Sequence, residues 1–330
     1  MRPSGADIID KVERVLGVMA AEERPGGIKD RIRHIGSDHL IQEGGVAYLP
    51  AQAGSRLIVV GDLHGDVSSL RAILKDGAER SLREGKASLV AIGDYIWGGE
   101  RTIELLLELM DLKLRYPQQV LLLRGNHDER QKTPGAEMLK YMEMAAAKGR
   151  RVCFFPWLVR EKGYGPRVYD AFARLLERLP TVAVTGNGIV LAHASPPADR
   201  VDSLRQLVGD ARSQSKMRLN QFYEVKRHKD PIAPERGSLH PFIDIVAPRA
   251  FHAFLEAVGG SVFVAGHHHG APSLPDAFNA RLGVVISFGG DSQDGLPDHG
   301  WLRPRYAVLS LDRPVKRLTA RMFRSLRREL

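Results

Sequence analysis

Hydrophobic and polar positions follow a recurring order along this chain: a short apolar run, a glycine, a cluster of polar residues, then a segment of helical spacing. The sharpest instance is RLIVVGDLHGD at 56–66, where four consecutive apolar residues, three of them β-branched, stop at Gly61. Such a run reads as a buried strand emptying into a tight loop. ASLVAIGD at 87–94 and VLLLRGNHD at 120–128 repeat the arrangement. Between them, Leu70, Ile73 and Leu74 within 67–77, and Ile103, Leu106, Leu107 and Met110 within 100–116, stand at helical spacing. This alternation predicts βαβ units in a largely parallel arrangement, with ligand-bearing groups outside the carboxyl ends of the strands.

The pattern extends to both sides. Residues 7–23 predict an amphipathic helix and VAYLP at 46–50 a short edge strand. Beyond Asp128, helices are expected at 135–148 and 166–179, joined by an aromatic link at 154–157, and Pro180 stops the second. Segments 181–185 and 189–193, separated by GNG, predict a hairpin whose second strand runs into LAHASPP. Residues 203–241 are polar and poor in periodicity, either a substrate-facing excursion or a solvated loop region. A helix at 248–258 and a strand at 261–265 opening on GHHHG follow, then strands at 282–288 and 306–311.

Composition narrows the class. With 43% hydrophobic and 26% charged residues in 330, the chain is an ordinary globular protein with a sizeable core. No apolar run reaches the ~20 residues of a membrane helix. Asp7, Asp10 and Glu13 interrupt the first apolar segment, which argues against a signal peptide. The one cysteine, Cys153, cannot form an internal disulfide and reads as a core residue, so the cytoplasm is the expected location. Residues 313–330 hold seven Lys or Arg against one Glu, most of the net charge of +9. The body therefore lacks the basic excess of a nucleic-acid binder, and the tail is expected as a solvated helix face whose partner is unassigned.

The strand ends present, in order, Asp62 and His64, Asp94, Asn126 with His127, His193, and His267 followed by His268 and His269. Extended spacing puts Asp62 and His64 on one side of the chain. Oxygen and imidazole without thiolate argue against a structural zinc site and for catalytic divalent ions such as Mn²⁺, Fe or Zn²⁺ with open coordination positions. Spacing after the strand favours His267, and a one-residue shift would make His268 the ligand.

GDLHG at 61–65, GDYIWGG at 93–99 and LRGNHD at 123–128 together resemble the metallophosphoesterases, and among them the phosphoprotein phosphatases. The likeness runs through 56–312, including LKLRYP ahead of LLLRGNHD and AVLSLD near the carboxyl end. It implies an α/β fold, a two-sheet β-sandwich flanked by helices. The catalytic domain would cover 56–312, after an N-terminal helical extension at 1–55 and before a basic C-terminal tail at 313–330. By motif matching, Asp62, His64 and Asp94 resemble the ligands of one metal, and Asp94, Asn126, His193 and His267 those of a second, with Mn²⁺ expected at both. Asp94 would bridge the pair, and His127 resembles the general acid.

The chain also departs from that pattern. The family's GDYVDRG has Asp and Arg where Trp97 and Gly98 stand, which implies loss of the carboxylate that orients the acid and of one phosphate-binding guanidinium. Arg236, in a segment resembling Asn-Asp-Arg-Gly, and Arg101, near Gly98, are the candidates for phosphate contact beside Asn126. Asp128, where the eukaryotic branch usually has Glu, suggests a prokaryotic-type member. The resemblance implies a metal-dependent phosphomonoesterase acting on phosphoserine or phosphothreonine in proteins, or on small phosphoesters. A dinucleoside polyphosphate hydrolase and a metal-binding scaffold with lost turnover are the alternatives.

Overall fold

The computed structural model describes residues 2–149, 151–194, 196, 200–209, 248–267, 280–289 and 304–326. Two sheets are stacked. One has five strands in the order β11-β10-β3-β4-β5, comprising β3 (Arg56–Val60), β4 (Ala87–Ala91), β5 (Val120–Leu122), β10 (Arg305–Ser310) and β11 (Phe323–Ser325). The other has six in the order β1-β2-β6-β7-β8-β9, comprising β1 (Ile41–Glu43), β2 (Val46–Leu49), β6 (Val182–Thr185), β7 (Ile189–Ala192), β8 (Val262–Ala265) and β9 (Leu282–Val284). The expected βαβ units appear as the parallel trio β3, β4 and β5, while β10 and β11 continue that sheet antiparallel. The predicted hairpin is the antiparallel pair β6 and β7.

Alternation along each strand explains the layering. Leu57, Val59, Val90, Ile92 and Leu121 turn inward and meet Ala183, Leu191, Val262 and Val264 of the facing sheet. Their neighbours Ile58, Val60, Leu89 and Ala91 turn outward under helices α1 (Gly5–Glu22), α2 (Val67–Ile73), α3 (Glu79–Arg83), α4 (Thr102–Arg115), α6 (Phe155–Glu161) and α7 (Pro166–Arg178). On the opposite side, α8 (Pro248–Val258) sets Phe251, Phe254 and Leu255 on Val184, Val190 and Phe263. Burying each such side chain contributes roughly 1.5–3 kcal/mol, so the core faces of both sheets are strongly specified. The fold is thus the helix-flanked two-sheet sandwich implied by the sequence. No helix among the described residues is long and apolar enough to cross a membrane.

Several local expectations change. VAYL is not an edge strand: β2 lies between β1 and β6, pairing parallel with the latter. The helix predicted from 67 gives way after Ile73 to a π turn kinked at Gly77. The aromatic link becomes α6. The tail is no solvated helix face where it is described: Phe323 pairs with Ala307, and Val315, Leu318 and Phe323 are buried. Near the amino terminus, Lys113 of α4 reaches Glu22 of α1 at 2.5 Å, both 2% exposed, and Gln42 of β1 donates to the same carboxylate. Burial raises the Glu22 carboxyl and lowers the Lys113 ammonium from their ordinary values, so the pair holds only while both partners stay.

Candidate metal centre

Both sheets deliver polar residues to one edge of the sandwich. Asp62 and His64 follow β3, Asp94 follows β4, Asn126 and His127 follow β5, His193 follows β7 and His267 follows β8. Ligand atoms of Asp62, His64 and Asp94 lie within 4.8 Å of one another, as do those of Asp94, His193 and His267. Asp94 belongs to both groups. Asn126 Oδ1 is 2.8 Å from His193 Nε2, which is 3.2 Å from His267 Nδ1.

The loops interlock through hydrogen bonds donated by backbone amides. The His64 amide donates to Asp94 O at 2.8 Å, the His127 amide to Asp94 Oδ1 at 3.0 Å, and the His267 amide to Asp62 Oδ1 at 2.9 Å. His64, Asp94 and His267 have φ of 44°, 56° and 63°, in the left-handed region that non-glycine residues avoid at a cost of order 1–3 kcal/mol each. These bonds hold the strained conformations in place. Gly125 is required by the same crowding, since a Cβ there would stand 2.1 Å from Asp94 Oδ1.

The donor set fits divalent cations. Asp94 Oδ2 is buried and accepts no hydrogen bond among the described residues, while His193 Nε2 at 3.2 Å, His64 Nε2 at 3.7 Å and His127 Nε2 at 4.0 Å face it. Carboxylate, amide oxygen and imidazole without thiolate are the chemistry of Mn²⁺, Fe or Zn²⁺ sites. Burial alone would raise the Asp94 carboxyl, yet His193, His127 and His64 hold it well below the usual carboxylate range. Burial would likewise lower the His193 imidazole, but the charges of Asp94 and Asp62 outweigh it and raise it to about 9. The cluster is therefore built around negative charge that a cation would neutralise.

Two carboxylates and two rings around the cluster had no assigned role in the sequence. Asp128, fully buried, accepts from the amides of Asp94 at 2.7 Å, Tyr95 at 2.8 Å and Gly125 at 2.9 Å, so it clasps the β4 and β5 loops together. Burial and the neighbouring Asp94 charge raise its carboxyl to about 7. Asp66, also buried, caps α2 through the Ser69 amide and accepts from the Gly289 amide at 3.0 Å. Phe288 packs edge-on against His64 at 4.7 Å, and Trp97 against His127 at 5.0 Å. The sequence signal for Asp128 was its place at the end of GNHD after a strand. For Trp97 it was the break in the motif.

Other candidates divide. The His127 side chain is 24% exposed and borders the cluster. Arg101 is engaged by its own helix: Nε and Nη2 donate to the two oxygens of Glu104, each at 2.8 Å. Arg236, His268 and His269 lie outside the described residues. Cys153 is buried, and burial raises its thiol to about 11, as suits a packing residue.

The family model for the calcineurin-like phosphoesterases matches residues 55–271. A protein phosphatase 2A catalytic subunit from Dictyostelium discoideum is 30% identical over 155 residues, 46% of this chain and 43% of that relative. The chain thus spans less than half the length of this curated relative. Among solved structures, a protein serine/threonine phosphatase from Saccharomyces cerevisiae with similarity to human phosphatase PP5 superposes with a TM-score of 0.64 at 16% identity, covering 93% of this chain and 83% of that one. That likeness is one of fold. Because the family model spans more than half of the chain and takes in the loops that build the cluster, the chain belongs to the calcineurin-like phosphoesterase family.

Proposed function

We propose that the chain is a metal-dependent phosphomonoesterase of the phosphoprotein-phosphatase type, hydrolysing phosphoserine or phosphothreonine in proteins. The observation that carries this reading is the pair of ligand groups sharing Asp94. Asp62, His64 and Asp94 would hold one divalent cation, and Asp94, Asn126, His193 and His267 the other, with Mn²⁺ the cation expected. Bound there, such ions supply Lewis-acid charge for phosphoryl oxygens and acidify water.

The chain's own residues do the rest. Asp94 keeps its carboxylate aimed inward because the His127 amide occupies Oδ1 while Oδ2 faces the imidazoles, and the His267 amide holds Asp62 by donating to both of its carboxylate oxygens, at 2.9 and 3.0 Å. His127 stands at the open side, its Nε2 turned toward Asp94 Oδ2, and gives the proton that neutralises the leaving alkoxide. Asp128 and the left-handed residues fix the loops, so little reorganisation accompanies the reaction. With Arg101 paired to Glu104, orientation of the phosphate falls first to Asn126.

The test is to assay the Mn²⁺-loaded chain against a phosphoserine peptide, an aryl phosphate and a dinucleoside polyphosphate while counting bound metal. Hydrolysis of the first two is expected. Turnover of the dinucleotide alone would replace this reading by a phosphoanhydride hydrolase, and two bound metals without any turnover would make the chain a scaffold.

A further inference from the structure

We propose that Trp97 is the positioning residue of His127, holding the imidazole so that Nε2 faces the cluster. The inference rests on the acid role given to His127 above. Where the family pattern has a carboxylate, this chain has an indole, and the geometry shows what it touches. The His127 backbone is tied at both ends: its amide donates to Asp94 Oδ1 at 3.0 Å, and its carbonyl accepts from Gln131 Nε2 at 3.3 Å. What remains adjustable is rotation about the side-chain bonds, where ring packing acts beside the approach of Nε2 to Asp94 Oδ2 at 4.0 Å. The indole meets the imidazole at 5.0 Å with planes at 70°, and His64 meets it at 5.8 Å with planes at 65°. An edge-to-face contact of this kind shifts a two-rotamer population by roughly 2- to 10-fold.

Trp97 can serve only if it is itself immobile. It is 7% exposed and packed in one apolar cluster with Met138, Phe154, Ile286 and Phe288. Tyr141, on helix α5 (Ala136–Ala147), meets it edge-on at 5.0 Å and 86°. The next residue is anchored too, Gly98 O accepting from the Cys153 amide at 2.8 Å. A line of ring contacts therefore runs from α5 through Tyr141 and Trp97 to His127.

The first measurement uses the full chain labelled at histidine, with the His127 signal assigned by its loss in His127→Gln. The three-bond coupling between amide nitrogen and Cγ reports the rotamer. A single-rotamer value is expected in wild type, an averaged one in Trp97→Leu, and a near-wild-type one in Trp97→Phe. The second measurement is kcat on the Mn²⁺-loaded chain for phosphate esters of graded leaving groups. Trp97→Leu should slow the poorest leaving group about 3- to 10-fold more than 4-nitrophenyl phosphate, with Trp97→Phe restoring the ratio. Tyr141→Ala, at a half-buried position, should move both readouts the same way by less, and it carries the test should Trp97→Leu fail to fold. A wild-type coupling in the Leu variant, or an equal loss for every leaving group, overturns the proposal. Absence of phosphate-ester turnover in wild type would instead sink the functional reading, while the coupling still decides whether Trp97 sets the ring.

Discussion

Around Asp94, directed hydrogen bonds join the carboxylates of Asp94 and Asp128 to backbone amides, whereas on the far side of His127 Trp97 sits in a cluster of rings and thioethers with Tyr141, Met138 and Met142. The polar half gains its order from directed bonds in a buried setting, where losing one partner strands another. The apolar half gains it from volume, which tolerates exchange for a group of similar shape. A change of side chain should therefore be sharply felt on the first side and graded on the second.

The largest effect is expected for Asp94→Asn, which alters the residue shared by both ligand groups. Hydrolysis should fall by more than about 10²-fold, beyond the usual loss for residues that only support a ligand, and both metals should bind more weakly. Metal analysis and rate, taken together, check this, and a fully active variant with two metals would break the comparison at its root.

Next comes Asp128→Ala, which leaves three buried amides without their acceptor. A loss of about 3 kcal/mol or more is expected, at roughly 1–3 kcal/mol for each stranded group. Urea unfolding with an unchanged slope would measure it. A midpoint like that of wild type would show that the clasp is replaceable.

Restoring the family's pair by Trp97→Asp with Gly98→Arg probes the apolar half. Gly98 has φ of 85°, a conformation that costs a side-chain-bearing residue about 1–2 kcal/mol. The double variant should be less stable than Trp97→Asp alone by about that amount in paired urea titrations. Equal stability would mean that the loop readily relaxes.

The smallest effect concerns the exposed rim. Glu104 is lowered to about 2, first by its hydrogen bond from Arg101 and then by Arg71. Its folded value lies below the ordinary 4.5, so its contribution is present above pH 4.5 and lost as pH falls toward 2. Glu104→Gln should flatten that part of the acid-unfolding profile slightly, since pairs this exposed are screened.

Much of this was legible in the chain. β3 and β4 appear where LIVV and ASLVA end in Gly-Asp, and α4 begins and ends within a residue or two of its periodic run, because burial on one face requires that periodicity. The strand-end polar residues were legible because several separate strands, rather than one, finish in Asp, His or Asn, which helix capping at a single strand end would not produce. The role of Asp128 was not, since its partners are backbone amides, which carry no signature in the side-chain sequence.

By itself, then, the sequence determined most of the strands and helices, though not β1, β11 or α6, as well as which residues stand at the strand ends and that the motif breaks at Trp97 and Gly98. Tertiary structure alone decided that β2 lies beside β6, that Phe323 joins the sheet through β11, and that the indole of Trp97 rests on His127. The physical reason is common to all three. Periodicity states that a face must be buried, but what covers it depends on shape and on pairing between residues far apart in the chain, which only the folded molecule brings together.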